Sequence, residues 1–148
     1  MKLFISEIGI KFIKSFESYS SQIYICSAGY RTIGYGHLLK DDEKFQHLTK
    51  AEAEDLLEHD LFSAQIAVLR LIHNDLEQHQ FDMLVSFTFN LGAGALQRST
   101  LRSKINRGED IFVQKEFERW IYAKGRIIPG LVRRRRSEAQ IYLGGYNV

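Results

Sequence analysis

A glutamate at position 17, a lone cysteine nine positions on at 26 and a threonine six beyond it at 32 fall within one stretch, SFESYSSQIYICSAGYRTIGYGH, from Ser15 to His37. A carboxylic acid, a second ionisable group and a hydroxyl set among glycines suit hydrolysis. Cutting a glycosidic bond takes one group that protonates the leaving oxygen and another that handles a water or the anomeric carbon. In that scheme Glu17 is the acid, and Cys26 and Thr32 act on the water. Each also has a plainer reading. Glu17 could be a solvated helix-end carboxylate, Cys26 a small buried apolar residue, and Thr32 a β-branched strand residue.

These groups need rigid elements to hold them. Ile5, Ile8, Phe12, Ile13 and Phe16 recur at helical spacing behind Ser6, a candidate N-cap, so a first helix to about Ser15 delivers Glu17 at its end. QIYIC and the following SAGYRTIGYG carry β-formers broken by glycines, which predicts a small antiparallel sheet with its hairpin turn near Ala28 and Gly29. Gly34 and Gly36 weaken a strand interior, and close approach of a ligand or another backbone is one reason to keep them.

Thr49 with Glu52 makes a capping box, and the apolar face from Ala53 to Leu71 predicts the longest helix, roughly 50 to 72 and about 30 Å long. QFDMLVSFTFNLGAG is apolar nearly all round, as in a helix buried in a core, and Gly92 with Gly94 should end it. A short helix from Ser99 to Gly108, another over 110 to 120, a loop at GRIIPG and a last helix stopped by Gly144 and Gly145 complete the expectation.

The 148 residues suffice for one domain burying roughly 70% of its unfolded surface without metals or disulfides. A single cysteine permits no internal disulfide, so the fold does not call for an oxidising compartment. The amphipathic start shows no secretory signal, and no stretch has the length and apolarity of a membrane span. Net charge is only +2. The positive charge is uneven, with four arginines in a row at 133 to 136.

The chain resembles the bacteriophage-type lysozymes, the endolysin muramidases of glycoside hydrolase family 24. Three blocks carry the likeness: Glu17, Cys26 and Thr32 at their spacing with GYRTIGYGH; QFDMLVSFTFNLG; and Trp120 followed by PGLVRRRRSE. The resemblance implies a single α+β, mostly helical domain over 1–148. It would have a sheet-containing lobe of about 16–58, a long connecting helix, and a helical lobe of about 70–148 that includes the N-terminal helix. It also implies cleavage of the β-1,4 bond between N-acetylmuramic acid and N-acetylglucosamine in peptidoglycan, without cofactor or metal, by a monomer that inserts into no membrane and binds no nucleic acid. Release from the host cytoplasm would then depend on a separate holin.

Comparison of the motif blocks suggests Leu38, Phe89, Asn90 and Thr100 as cleft-lining residues and Gln114 as a further sugar contact. Trp120 reads as core. His37 reads as structural, with Asp60 on the long helix as its partner. The resemblance further suggests that Arg134 or Arg135 folds back against Glu17, which would orient the carboxyl while favouring its ionised form.

Cys26 departs from the aspartate that most relatives carry. A thiol with a pKa near 8.5 is mostly neutral at neutral pH. It could act as a thiolate base, as a nucleophile, or as a neutral group that positions water. Two other functions compete with hydrolysis. A lytic transglycosylase needs the acid but no water-activating partner, and a non-enzymatic binder would grip an anionic polymer through Arg133 to Arg136.

Overall fold

A computed structural model describes residues 3–146. The two outermost residues at each end of the expected 1–148 domain lie outside the described residues. Ser6 caps the first helix, α1 (Glu7–Phe16), its hydroxyl accepting from the Gly9 N–H. At the other end the Glu17 N–H still bonds the Ile13 carbonyl, so Glu17 leaves α1 as its C-cap. Three strands follow, β1 (Ser20–Ile25), β2 (Arg31–Gly34) and β3 (His37–Leu38), in an antiparallel sheet of that order. Tyr24 pairs with Thr32 and Ile25 with Arg31. The β1–β2 turn closes through Gly29 N–H to the Cys26 carbonyl at 2.8 Å and Cys26 N–H to the Tyr30 carbonyl at 3.0 Å.

The long helix α2 (Lys50–Leu71) begins at the expected capping box, both reciprocal bonds between Thr49 and Glu52 being present. Its buried stripe of Ala53, Leu57, Leu61, Ala64, Val68 and Leu71 runs the whole length. The first turns face the sheet, and at Gly34 an added Cβ would stand 3.3 Å from that of Ala53. The later turns pack on α3 (Gln78–Leu91), in which every residue from Phe81 to Thr88 is buried. Gly92, at φ +94°, ends α3.

Past Gly92 the chain departs from expectation in three places. Gly94 does not stop a helix but lies within a short one, α4 (Ala93–Arg98), before α5 (Thr100–Asn106) capped by Ser99. The single helix expected over 110 to 120 is a 3-10 turn at Asp110–Phe112 and α6 (Val113–Glu118), so Trp120 lies beyond the helix end. Its indole still packs on the core, 5.7 Å from the Phe87 ring. The GRIIPG segment is no loop. Tyr122–Ala123 (β4) and Arg126–Ile127 (β5) pair as a hairpin around Lys124 and Gly125, both at positive φ, and Pro129 opens the last helix, α7 (Pro129–Gly144). Two-residue strands carry no readable alternation, which is why pattern alone misses them.

Candidate active site

Glu17 is held by two neighbours of opposite kind. Gly36, at φ +76°, has no Cβ, and any side chain there would collide with the Glu17 carboxylate. The close approach that the glycines signalled is therefore that of the acid itself. On its other side Arg134 Nη1 donates to Glu17 Oε1 at 3.0 Å, with the two side chains 3% and 15% exposed.

Arg134 is in turn fixed from behind. Its Nε lies 3.4 Å from Glu138 Oε2, its Nη2 lies 3.2 Å from Ser86 Oγ, and its guanidinium rests over the Phe16 ring. Glu138, wholly buried, accepts a 2.6 Å bond from Ser86 Oγ and also faces Arg135, whose Nε is 3.0 Å from Glu138 Oε1. Arg135 Nη2 donates to Asn90 Oδ1. Burial, opposed by the Glu138 charge, lowers the Arg135 pKa to about 10. The arginine run is thus not a solvated stripe, because Arg134 and Arg135 are interior and only Arg133 and Arg136 face water.

Cys26 stands at the mouth of the β1–β2 turn, half-buried. Burial raises its pKa, but the N–H groups of Tyr30, Ala28 and Gly29 and the Thr32 hydroxyl act the other way, and together they leave it below that of an ordinary thiol. Thr32 is buried, and its hydroxyl also donates to the Tyr30 carbonyl at 2.9 Å. One hydroxyl proton serves one acceptor at a time, so Thr32 can turn between the turn carbonyl and the sulfur. Tyr24 lies on the same strand face as Cys26, two residues away. Burial, together with the charges of Glu17 and Cys26, pushes its phenol pKa up and keeps it a hydrogen-bond donor.

Glu17, Cys26 and Thr32 line one cavity of about 570 Å3, which Leu38, Phe89 and Asn90 also border. Its far wall is the β4–β5 hairpin, through Tyr122 and Lys124. Two further concavities share its walls: one of about 490 Å3 through Glu17, Tyr24 and Cys26, and one of about 320 Å3 through Gly36, Leu38, Phe89 and Gly92. The three adjoin as one groove, and Glu17 lines two of them.

Thr100 and Gln114 border none of these three. Thr100 is exposed at the first position of α5, and Gln114 is exposed on α6, its amide bonded to Glu118. Tyr24, Tyr122 and Lys124 are lining residues that the motif comparison did not supply. Strand alternation from Cys26 points to the first, whereas the others stand on a hairpin whose two-residue strands carry no readable pattern.

His37 lies beneath the groove. Its Nδ1 is 2.7 Å from Asp60 and its Nε2 is 3.1 Å from Glu43, a second carboxylate beyond the expected one. The Asp60 hydrogen bond raises the His37 pKa, against burial and with help from the charges of Asp60 and Glu43. Among the described residues no group of three or more His, Cys, Asp or Glu side chains is placed to hold a metal ion, and no helix is long and apolar enough to cross a membrane.

A sequence model of the family described as phage lysozyme matches residues 14–138, which takes in the acid, the hairpin, the buried helix and the arginine pair. The chain belongs to the phage lysozyme family. It is 40% identical over 143 residues to the endolysin of Bacillus phage B103, covering 95% of this chain and 54% of that protein. The chain thus spans about half the length of the Bacillus phage endolysins it matches. It is 36% identical over 117 residues to the SAR-endolysin of Bacteriophage PS119, covering 79% of this chain and 70% of that one. Among solved structures, the muramidase domain of SpmX from Asticaccaulis excentricus superposes with a TM-score of 0.83 at 35% identity, over 95% of this chain and 97% of that domain. In this member of the family a cysteine stands among the residues that line the groove.

Proposed function

We propose that the protein hydrolyses the β-1,4 bond between N-acetylmuramic acid and N-acetylglucosamine in bacterial peptidoglycan, as an endolysin that lyses its host. The observation that carries this reading is that Glu17, Cys26 and Thr32 line one cavity, which shares its walls with two more. The muramidase domain among its structural neighbours supports this choice of bond.

Glu17 gives its proton to the glycosidic oxygen as the bond to the anomeric carbon breaks. Water adds to that carbon, and its proton passes to the Cys26 thiolate, with the Thr32 hydroxyl steering the water. Transfer of that proton back to Glu17 through solvent restores the site. The turn N–H groups that lower the Cys26 pKa favour the thiolate-base role over a neutral filler. Bound substrate loosens the Arg134 contact so that Glu17 can turn to the glycosidic oxygen, and Arg134→Ala should therefore alter the pH and rate profile. Leu38, Phe89 and Asn90 contact the strand. Thr100 and Gln114, outside the groove walls, would reach only parts of the polymer beyond it.

The enzyme acts as a monomer, held in the host cytoplasm and released to the wall through a holin lesion. Relatives named SAR-endolysin leave export by a different route as the competing account. A transglycosylase mechanism would leave Cys26 and Thr32 without a task. Binding through the arginine run loses two of its four charges to the interior. Purified peptidoglycan incubated with wild type and Glu17→Gln tests the proposal: new reducing sugars from wild type alone are expected, and equal release from both, or none from either, overturns it.

A further inference from the structure

We propose that Arg135, held by Glu138, is a positioning residue that fixes the Asn90 carboxamide so that its NH2 faces the groove and donates to a carbonyl oxygen of the bound strand. This rests on the peptidoglycan reading and goes beyond it to the group recognised. A primary amide can present either its oxygen or its nitrogen, and the two ends look alike in shape. Here the chemistry of the neighbour decides. A guanidinium has donors and no acceptor, so the Asn90 atom facing Arg135 Nη2 must be the oxygen. The nitrogen is left for the groove, and it has no partner among the hydrogen bonds of the described residues.

Arg135 cannot swing to release the amide. Its side chain is fully buried, its Nε lies 3.0 Å from buried Glu138, and its guanidinium packs on the Phe87 ring with centres 5.2 Å apart. Holding a charge there is costly, since Nε and Nη1 find no hydrogen-bond partner. The Glu138 charge offsets part of that cost and holds Arg134 on Glu17 at the same time. One carboxylate thus sets two groups on the groove: the acid, through Arg134, and an amide donor, through Arg135.

A donor with its acceptor end occupied selects for acceptors. In the strand, the neutral acceptors of fixed geometry are carbonyl oxygens, those of the acetamido groups and those of the peptide stems. Hydroxyls could be met by either end of the amide and would not require it to be locked.

The test measures dissociation constants in the Glu17→Gln background, so that no strand is cut and no second carboxylate beside Glu17 complicates the comparison. Asn90→Asp keeps an oxygen towards Arg135 and puts another where the NH2 was. We expect on the order of tenfold weaker binding of soluble glycan strands, the worth of about one hydrogen bond. De-N-acetylated strands and strands stripped of peptide by an amidase identify the acceptor. Whichever treatment weakens the parent should leave Asn90→Asp unaffected. Arg135→Lys should shrink the parent's preference for the untreated strand, whereas a purely structural role would weaken treated and untreated strands alike. Unchanged binding by Asn90→Asp, or losses that add independently on both stripped strands, overturns the proposal. Wild-type failure to release reducing sugars would instead overturn the hydrolase reading and leave these binding ratios to be read on their own.

Discussion

The two sides of the groove are held by different physics. Glu17 sits on a helix end, backed by a buried chain of charges that runs through Arg134 to Glu138, each member nine-tenths or more out of water behind the acid itself. Cys26 sits on a glycine turn, half-exposed, with its sulfur surrounded by backbone N–H groups. The acid side is therefore coupled to the stability of the helical core. The cysteine side can change its chemistry with little cost to the fold. A buried ion pair broken at one member leaves an uncompensated charge, whereas a polar atom at a turn exchanges with water.

That contrast can be broken from either side. Glu17→Gln removes the proton donor and should lower reducing-sugar release by about 10^3-fold or more, within the usual range for a general acid. It should not lower stability comparably, because the amide still accepts from Arg134; urea denaturation checks the second half.

Glu138→Ala should do the opposite. With Arg134 and Arg135 left buried without their shared counter-charge, unfolding free energy should fall by about 3–5 kcal/mol, seen as an earlier denaturation midpoint. A loss under about 1 kcal/mol, the size expected of a surface pair, would show that the charge chain does not hold the acid side.

Cys26→Ala should cost about 10^2-fold in rate, with stability nearly unchanged. Cys26→Asp should keep most activity and move the alkaline-favoured limb of the rate profile to lower pH, since a carboxylate ionises below a thiol. Full activity in Cys26→Ala would remove the residue from the mechanism.

The smallest effect concerns His37, under the groove. Its pKa is raised in the fold by Asp60 first, then against burial, with Glu43 adding to the effect. A group raised above its unfolded value of about 6.5 adds stability that is complete below that value and fades as pH rises through the folded one. Stability should fall across that window in wild type and fall less in Asp60→Asn. A His37 titration at the ordinary value, followed by NMR, would contradict this.

The same contrast separates what could be read in the chain from what could not. Ser6, Thr49 with Glu52, Gly92 and Ser99 are local signals, each acting within a few residues, and they mark helix ends where the structure has them. The glycine turn that carries Cys26 is local too, and it was legible down to Gly29. The charge chain is not. The residues themselves show only a run of four arginines; the resemblance put Arg134 or Arg135 against Glu17, and the packing of α7 against α3 turns both inward, beside Ser86 and Asn90. Lys124 across the groove likewise depends on a contact between distant segments, whereas Glu43, six residues from His37, meets it through a local turn that carries no repeating pattern to read. Thr100 and Gln114 were suggested by motif position, and both stand exposed on helices that border none of the three concavities.

The central claim is that a water held by Cys26 and Thr32 attacks the sugar once Glu17 has protonated the bond. Mass analysis of the products from purified peptidoglycan digested in heavy-oxygen water addresses this directly. The account predicts one heavy oxygen at the new reducing muramic end with wild type and no product with Glu17→Gln. Unlabelled anhydro ends would contradict it.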